Sequence, residues 1–220
     1  MSTLAQVPSE QPRRRRADGE ESYRRILQAA SDVAGERGYD GTTIAAVSVA
    51  SGLPASSIYH YFANKDDLIA AVISSSFAAL RSAITDEAAS VGRMHLEDVL
   101  DAVARAFSDN PGFLRLGMML SLERRPTEAS ARRAFLKARE RASRYLVRVI
   151  LAQWPEMDGD DAALLATHVL AGVDGLFIVH EIDGGADLQR LFTLHKQASQ
   201  QLADELIESR ARAGSRSAKN

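Results

Sequence analysis

Cysteine is absent from the 220 residues. That excludes disulfides, thiolate nucleophiles, cysteine-ligated metals and iron–sulfur clusters. Aromatic residues are sparse at 6%, and proline occurs six times. No stretch shows the period-two alternation of a half-buried strand. Excess positive charge is missing as well, since 27 basic residues face 29 acidic ones for a net charge of −2. A nucleic-acid partner therefore has to be met by a local patch. There is no Gly-rich phosphate loop, no HExxH and no GxSxG, and His60, His95, His168, His180 and His195 lack ligand spacing. No cofactor, metal or catalytic residue is expected. Residues 1–19 contain no apolar segment, so the basic run there does not open a secretory signal, and a cytoplasmic location is expected.

What is present is helical periodicity. Apolar residues make up 45% and charged residues 25%, as in ordinary soluble domains. Residues 1–19, with Pro8, Pro12 and Arg13–Arg16, read as a disordered basic arm. Ile26, Ala29, Ala30, Val33 and Ala34 then mark one face of a helix over 20–37, stopped by Gly38. A short helix over 43–51 ends at Gly52, and Pro54 opens another over 55–62. Asn64 caps a fourth helix running to about 83, with Asp67 placed to bond back. Further helices are expected over 96–108, 112–122, 128–153, 160–181 and 187–210, separated by Gly, Pro and Asp clusters. The fold class is all-α with about nine helices. The expected domains are a DNA-binding unit over 20–66, a helical effector-binding and dimerisation domain over 67–210, and a flexible tail over 211–220.

Two very short helices joined by Ser51-Gly52-Leu53-Pro54 are the helix-turn-helix pattern. A turn this tight needs a residue at ease with positive φ, and Gly52 is one. Such a unit lays its second helix in the major groove. That helix offers Ser56, Ser57, Tyr59, His60 and Tyr61, all with hydroxyl or imidazole groups. Lys65, Thr42 and Thr43 flank it and are suited to phosphates. No Arg or Lys lies in the helix itself, so bidentate Arg–guanine pairing is unavailable from it. Residues 1–70 hold eight basic and nine acidic side chains, and four of the eight are Arg13, Arg14, Arg15 and Arg16. That run either follows DNA as a basic arm or serves as a solubilising tail.

The stretches Gly38-Tyr39-Asp40-Gly41-Thr42-Thr43-Ile44, Gly52-Leu53-Pro54-Ala55-Ser56-Ser57-Ile58-Tyr59-His60-Tyr61-Phe62 and Asn64-Lys65-Asp66-Asp67-Leu68 together resemble the TetR/AcrR (tetracycline-repressor-like) transcriptional regulators. The resemblance covers about residues 20–80. It implies a homodimeric repressor that binds a palindromic double-stranded DNA operator and is released by a small-molecule effector. It further implies that His60, Ser56 and Ser57 face bases, that Tyr59 and Tyr61 contact backbone or pack the helix, and that Lys65, Thr42 and Thr43 hold phosphates. The chain departs from the family at Pro54, where a capping serine is frequent, and at Ala55, where a basic residue is frequent.

The second half centres on Ala162–Val179, apolar nearly all round. With His168 and Asp174 inside it and no basic or aromatic flanks, it reads as a buried helix rather than a membrane span. Its cover comes from the chain's own core or from a second copy. The resemblance assigns Leu165, Val169, Gly172, Leu176, Val179, Leu191, Leu194, Leu202 and Leu206 to a dimer interface. An effector cavity is expected among Phe77, Phe107, Phe113, Met118, Met119, Phe135, Tyr145, His168 and Phe177, or else these form plain core. Residues 124–148 carry nine basic and two acidic side chains, either a solvated helix face or an attractor of an anionic effector. The competing readings are a helical ligand-binding or scaffold protein that ignores DNA, and last a cofactor-free all-α enzyme.

Overall fold

A computed structural model describes residues 11–91, 94–109, 112–122, 129–184 and 187–217. Among these residues there are nine α-helices and no strand. They are α1 (Gln11–Gly41), α2 (Ile44–Ser51), α3 (Ala55–Tyr61), α4 (Lys65–Val91), α5 (Leu96–Asp109), α6 (Gly112–Leu122), α7 (Ala129–Gln153), α8 (Gly159–Asp183) and α9 (Leu188–Ser217). They divide into two compact units, one through Ile73 plus Gly112–Ala134, the other Ser74–Pro111 plus Phe135–Asn220.

The expected arm is corrected over its second half. Helix begins at Gln11, so Arg13–Arg16 ride on the first turns of α1 rather than on an extended arm. Arginine is a good helix former, and Pro12 sits where the first-turn N–H has no partner anyway. Gly38 breaks α1 at φ +67°, in the left-handed region where a glycine stop was expected. Two helices run past their expected ends, α4 to Val91 and α9 to Ser217.

In the first unit α1, α2, α3 and the start of α4 share one core. Ile26, Ala29, Ala30, Val47, Ile58, Phe62, Leu68 and Val72 are all buried in it. Ile58 is the fully buried pin of α3, and truncating such a side chain costs about 2–5 kcal/mol. Helix α6 packs on α1, with Leu116 and Leu120 buried and Arg115 donating to the Gly35 carbonyl at 3.0 Å. The Asp66 carboxylate accepts from the backbone N–H groups of Ser130 and Ala131 at 2.8 and 3.2 Å, and so caps α7.

In the second unit α8 and α9 pack together, with Leu165, Val169, Phe177, Phe192 and Ala203 buried. The His195 ring fills the space left at Gly172, where an added Cβ would come within 2.2 Å of it. Asp174 is bound by both terminal nitrogens of Arg139 on α7, so this acid in an apolar helix is satisfied. Residues Lys65–Thr85 of α4, and α8 itself, are long and apolar enough to cross a membrane by length and composition alone. On α8 the ion-paired Asp174 and the exposed His168 argue against lipid cover.

Candidate DNA-binding interface

The helix-turn-helix is assembled from short-range bonds. Thr43 caps α2, its hydroxyl accepting from the Ala46 N–H at 3.1 Å. Gly52 closes the helix at φ +64°. The Ser48 hydroxyl crosses the turn to the Leu53 carbonyl at 2.7 Å. From α1, Arg25 donates to the Ser51 carbonyl at 2.6 Å and satisfies an acceptor that the end of α2 leaves free. Pro54 makes no side-chain cap, and α3 starts on its fixed φ of −64°. Asn64 and Asp67 exchange two bonds at the start of α4, the Asn64 carbonyl oxygen accepting from the Asp67 N–H at 2.9 Å and its amide donating to the Asp67 carboxylate at 3.1 Å.

The expected contact residues divide into two groups. Ser56, Tyr59 and His60 are exposed on α3, with Tyr59 at 57%, and Ser57 is half-buried. Ile58 and Phe62 point into the core and hold that face outward. Thr43 is exposed at the start of α2.

Thr42 is corrected. It is fully buried, and its hydroxyl donates to the Gly38 carbonyl at 2.7 Å, which locks the break in α1 instead of holding a phosphate. Tyr61 is turned inward, donating its hydroxyl to the Gly19 carbonyl at 3.0 Å. Lys65 is engaged as well. Its Nζ donates to the Tyr39 carbonyl at 3.0 Å and sits 4.0 Å from the Tyr39 ring centroid. The side chains of Arg13–Arg16 lie outside the described residues.

Sequence reasoning missed Arg25 and Ser48, because their partners are carbonyls in a turn and no residue pattern announces them. It also missed Val49, 84% exposed on α2 and so a candidate apolar contact beside the recognition helix. An open cleft of about 460 Å³, lined by Gly19, Glu20, Tyr23 and Tyr61, lies where α1 meets the end of α3.

Residues 26–72 match the family of bacterial regulatory proteins of the tetR type. The N-terminal domain belongs to the TetR family. Its helix-turn-helix is therefore the DNA-binding part of a transcriptional regulator. No curated protein matches the chain in sequence.

The TetR-type fold extends beyond that domain. A fatty acid degradation regulator, FadR, from Bacillus halodurans is 19% identical, with a TM-score of 0.65 over 82% of this chain and 97% of that one. FadR from Bacillus subtilis, solved in complex with stearoyl-CoA, is 18% identical with a TM-score of 0.64 over 82% and 97%. A TetR-family regulator from Rhodococcus sp. is 15% identical with a TM-score of 0.68 over 84% and 99%. At these identities the likeness is one of fold.

The expected effector and interface residues are only partly brought together. Phe77 and Phe135 meet edge-on, with centroids 5.8 Å apart, and Phe135 and Phe177 are buried. Tyr145 is half-buried, and its hydroxyl pKa is raised by burial, against the lowering effect of Arg148. Met118 and Met119 belong to the first unit, where Met119 lies against Gly38. His168 is corrected as a cavity residue, since it is exposed on α8. The side chains of Phe107 and Phe113 lie outside the described residues.

Leu165 and Val169 are corrected as interface residues. They are 1% and 0% exposed within the single chain and serve its core. The exposed positions lie one step away on α8, at Leu164, His168, Ala171, Gly175, Ile178 and Ile182. Val179 and Leu194 are exposed in the single chain, while Gly172, Leu176, Leu191, Leu202 and Leu206 are half-buried.

Proposed function

We propose that this regulator is a homodimeric repressor that grips a palindromic operator and releases it when a small molecule binds the second unit. The observation that carries the DNA half is the outward face of α3. Ser56, Tyr59 and His60 stand exposed on a helix pinned from beneath by Ile58 and Phe62. In this reading they meet base edges and sugar–phosphate, the start of α2 with Thr43 receives a phosphate, and Arg13–Arg16 add cationic contacts.

Dimerisation is supported by the exposed stripe on α8. Leu164, His168, Ala171, Gly175, Ile178 and Ile182 recur every three or four residues along about 27 Å of helix, with Leu164 60% and Ile182 75% exposed. A second copy would cover that stripe and set two α3 helices one DNA turn apart, about 34–36 Å. Effector control is supported by the edge-on pair of Phe77 and Phe135, and by the stearoyl-CoA complex of the Bacillus subtilis relative in fold.

The test is selection of a duplex from a random pool followed by footprinting. A protected inverted repeat that shrinks to background on His60→Ala, with the fold intact, supports the reading. No enriched duplex at low salt overturns it.

A further inference from the structure

The first unit binds DNA with few cations. Arg13–Arg16 make up half of the basic residues among positions 1–70, and α3 has none. They lie on α1 three to six positions before Gly19, or about 5–9 Å along the helix axis.

Gly19 is tied to α3. The Tyr61 hydroxyl reaches it across 42 residues of chain, and the Tyr61 ring meets Tyr23 edge-on at 5.4 Å and His60 at 5.1 Å. Tyr23 in turn stacks on Phe62 at 5.5 Å. The end of the recognition helix is therefore bonded to the turn of α1 that follows the four arginines.

Two features show that this end of α1 needs the tie. Four cations at the start of a helix oppose the macrodipole, so these turns fray when alone. Glycine is the poorest helix former after proline, and space does not demand it here. A Cβ at Gly19 would sit at an ordinary 3.5 Å from the Tyr61 hydroxyl. The helix thus has a soft point at the place where it is anchored.

We propose that Tyr61 is a positioning residue that holds the Arg13–Arg16 turns of α1 in helical form beside α3, so that one duplex meets both. The proposal rests on the reading of α3 as the DNA-facing helix. It assigns the Tyr61 hydroxyl to Gly19 rather than to the duplex. It also makes the bound arginine segment a helix rather than an extended strand in a groove.

The experiment measures affinity of the full chain for its selected duplex against KCl concentration, by fluorescence anisotropy. Replacing all four arginines by alanine should lower the magnitude of the log–log salt slope by about 0.9 per lost phosphate contact. Tyr61→Phe keeps the ring packing, and we expect it to weaken binding about five- to tenfold and to reduce the slope in the same direction. The arginine replacement should then cost much less in the Tyr61→Phe background than in the wild type. Gly19→Ala should tighten binding about two- to fivefold, because the helix is better formed before contact.

Wild-type affinity and slope in Tyr61→Phe, or full additivity of the two changes, overturns the proposal. Weaker binding by Gly19→Ala overturns its helical form. An unchanged slope in the arginine variant shows that the segment misses DNA and also overturns it, while leaving α3 as the reader. Failure of the wild type to retain any duplex is the separate failure of the DNA-binding reading itself.

Discussion

Removing the Asp66 carboxylate should loosen the start of α7, although the two positions lie 64 residues apart. Its oxygens accept from the N–H groups of Ser130 and Ala131, and the Tyr39 hydroxyl donates to it at 3.4 Å. Those two amides belong to the first turn of α7, where no carbonyl of the helix can reach them. A lost cap costs about 0.5–2 kcal/mol. Here the acceptor is charged, faces the positive end of the helix and serves two donors at once, one of them on the fully buried Ala131.

We therefore expect Asp66→Ala to cost about 2 kcal/mol, which is about 4–8 °C in Tm for a chain of this size. Asp66→Asn keeps one carbonyl acceptor and should lose about half of that. The assay is thermal unfolding by circular dichroism at fixed protein concentration, with a urea midpoint as the check. An alanine variant that melts within a degree of wild type would refute the cap. So would an asparagine variant that loses as much as alanine, because a carbonyl acceptor would then be contributing nothing.

Gly172→Ala should be severe, above about 2 kcal/mol, because its Cβ would enter the His195 ring, and a lower urea midpoint would register it. Gly175→Ala meets nothing within 4 Å in the single chain, so it should stabilise a monomer by up to about 1 kcal/mol yet weaken a dimer built on that stripe, as read by light scattering. Thr42→Val should cost about 1–2 kcal/mol of stability and leave the salt slope of DNA binding unchanged, and a reduced slope would restore Thr42 as a phosphate contact. His195 has its pKa pushed below the ordinary value, first by burial and also by His168, against the opposing bond to the Val169 carbonyl. The unfolded chain then takes up this proton first, so stability should begin to fall as the pH drops below about 6.5 and level off once the folded ring is protonated. Comparing urea midpoints at pH 7.5 and 5.5 in wild type and His195→Gln checks it, since the difference should shrink in the variant.

Helix boundaries were legible because their causes lie within a few residues. Gly52 at φ +64°, Thr43 capping Ala46, the Asn64–Asp67 exchange and the break at Gly38 are all contacts between near neighbours in the chain. The same local logic marked out the outward residues of α3, since Ile58 and Phe62 sit four apart and leave Ser56, Tyr59 and His60 on the other side.

Tertiary structure alone decided which polar and charged side chains were already taken. Tyr61 is spent on Gly19, Lys65 on Tyr39 and Asp66 on α7, with partners 42, 26 and 64 residues away. It also decided the rotation of α8. A helix apolar nearly all round carries no periodic signal to say which side faces in, so Leu165 and Val169 were misread outward and Leu164, Ile178 and Ile182 were overlooked. One position along a helix turns a side chain by 100°, and only a neighbouring helix chooses between the two.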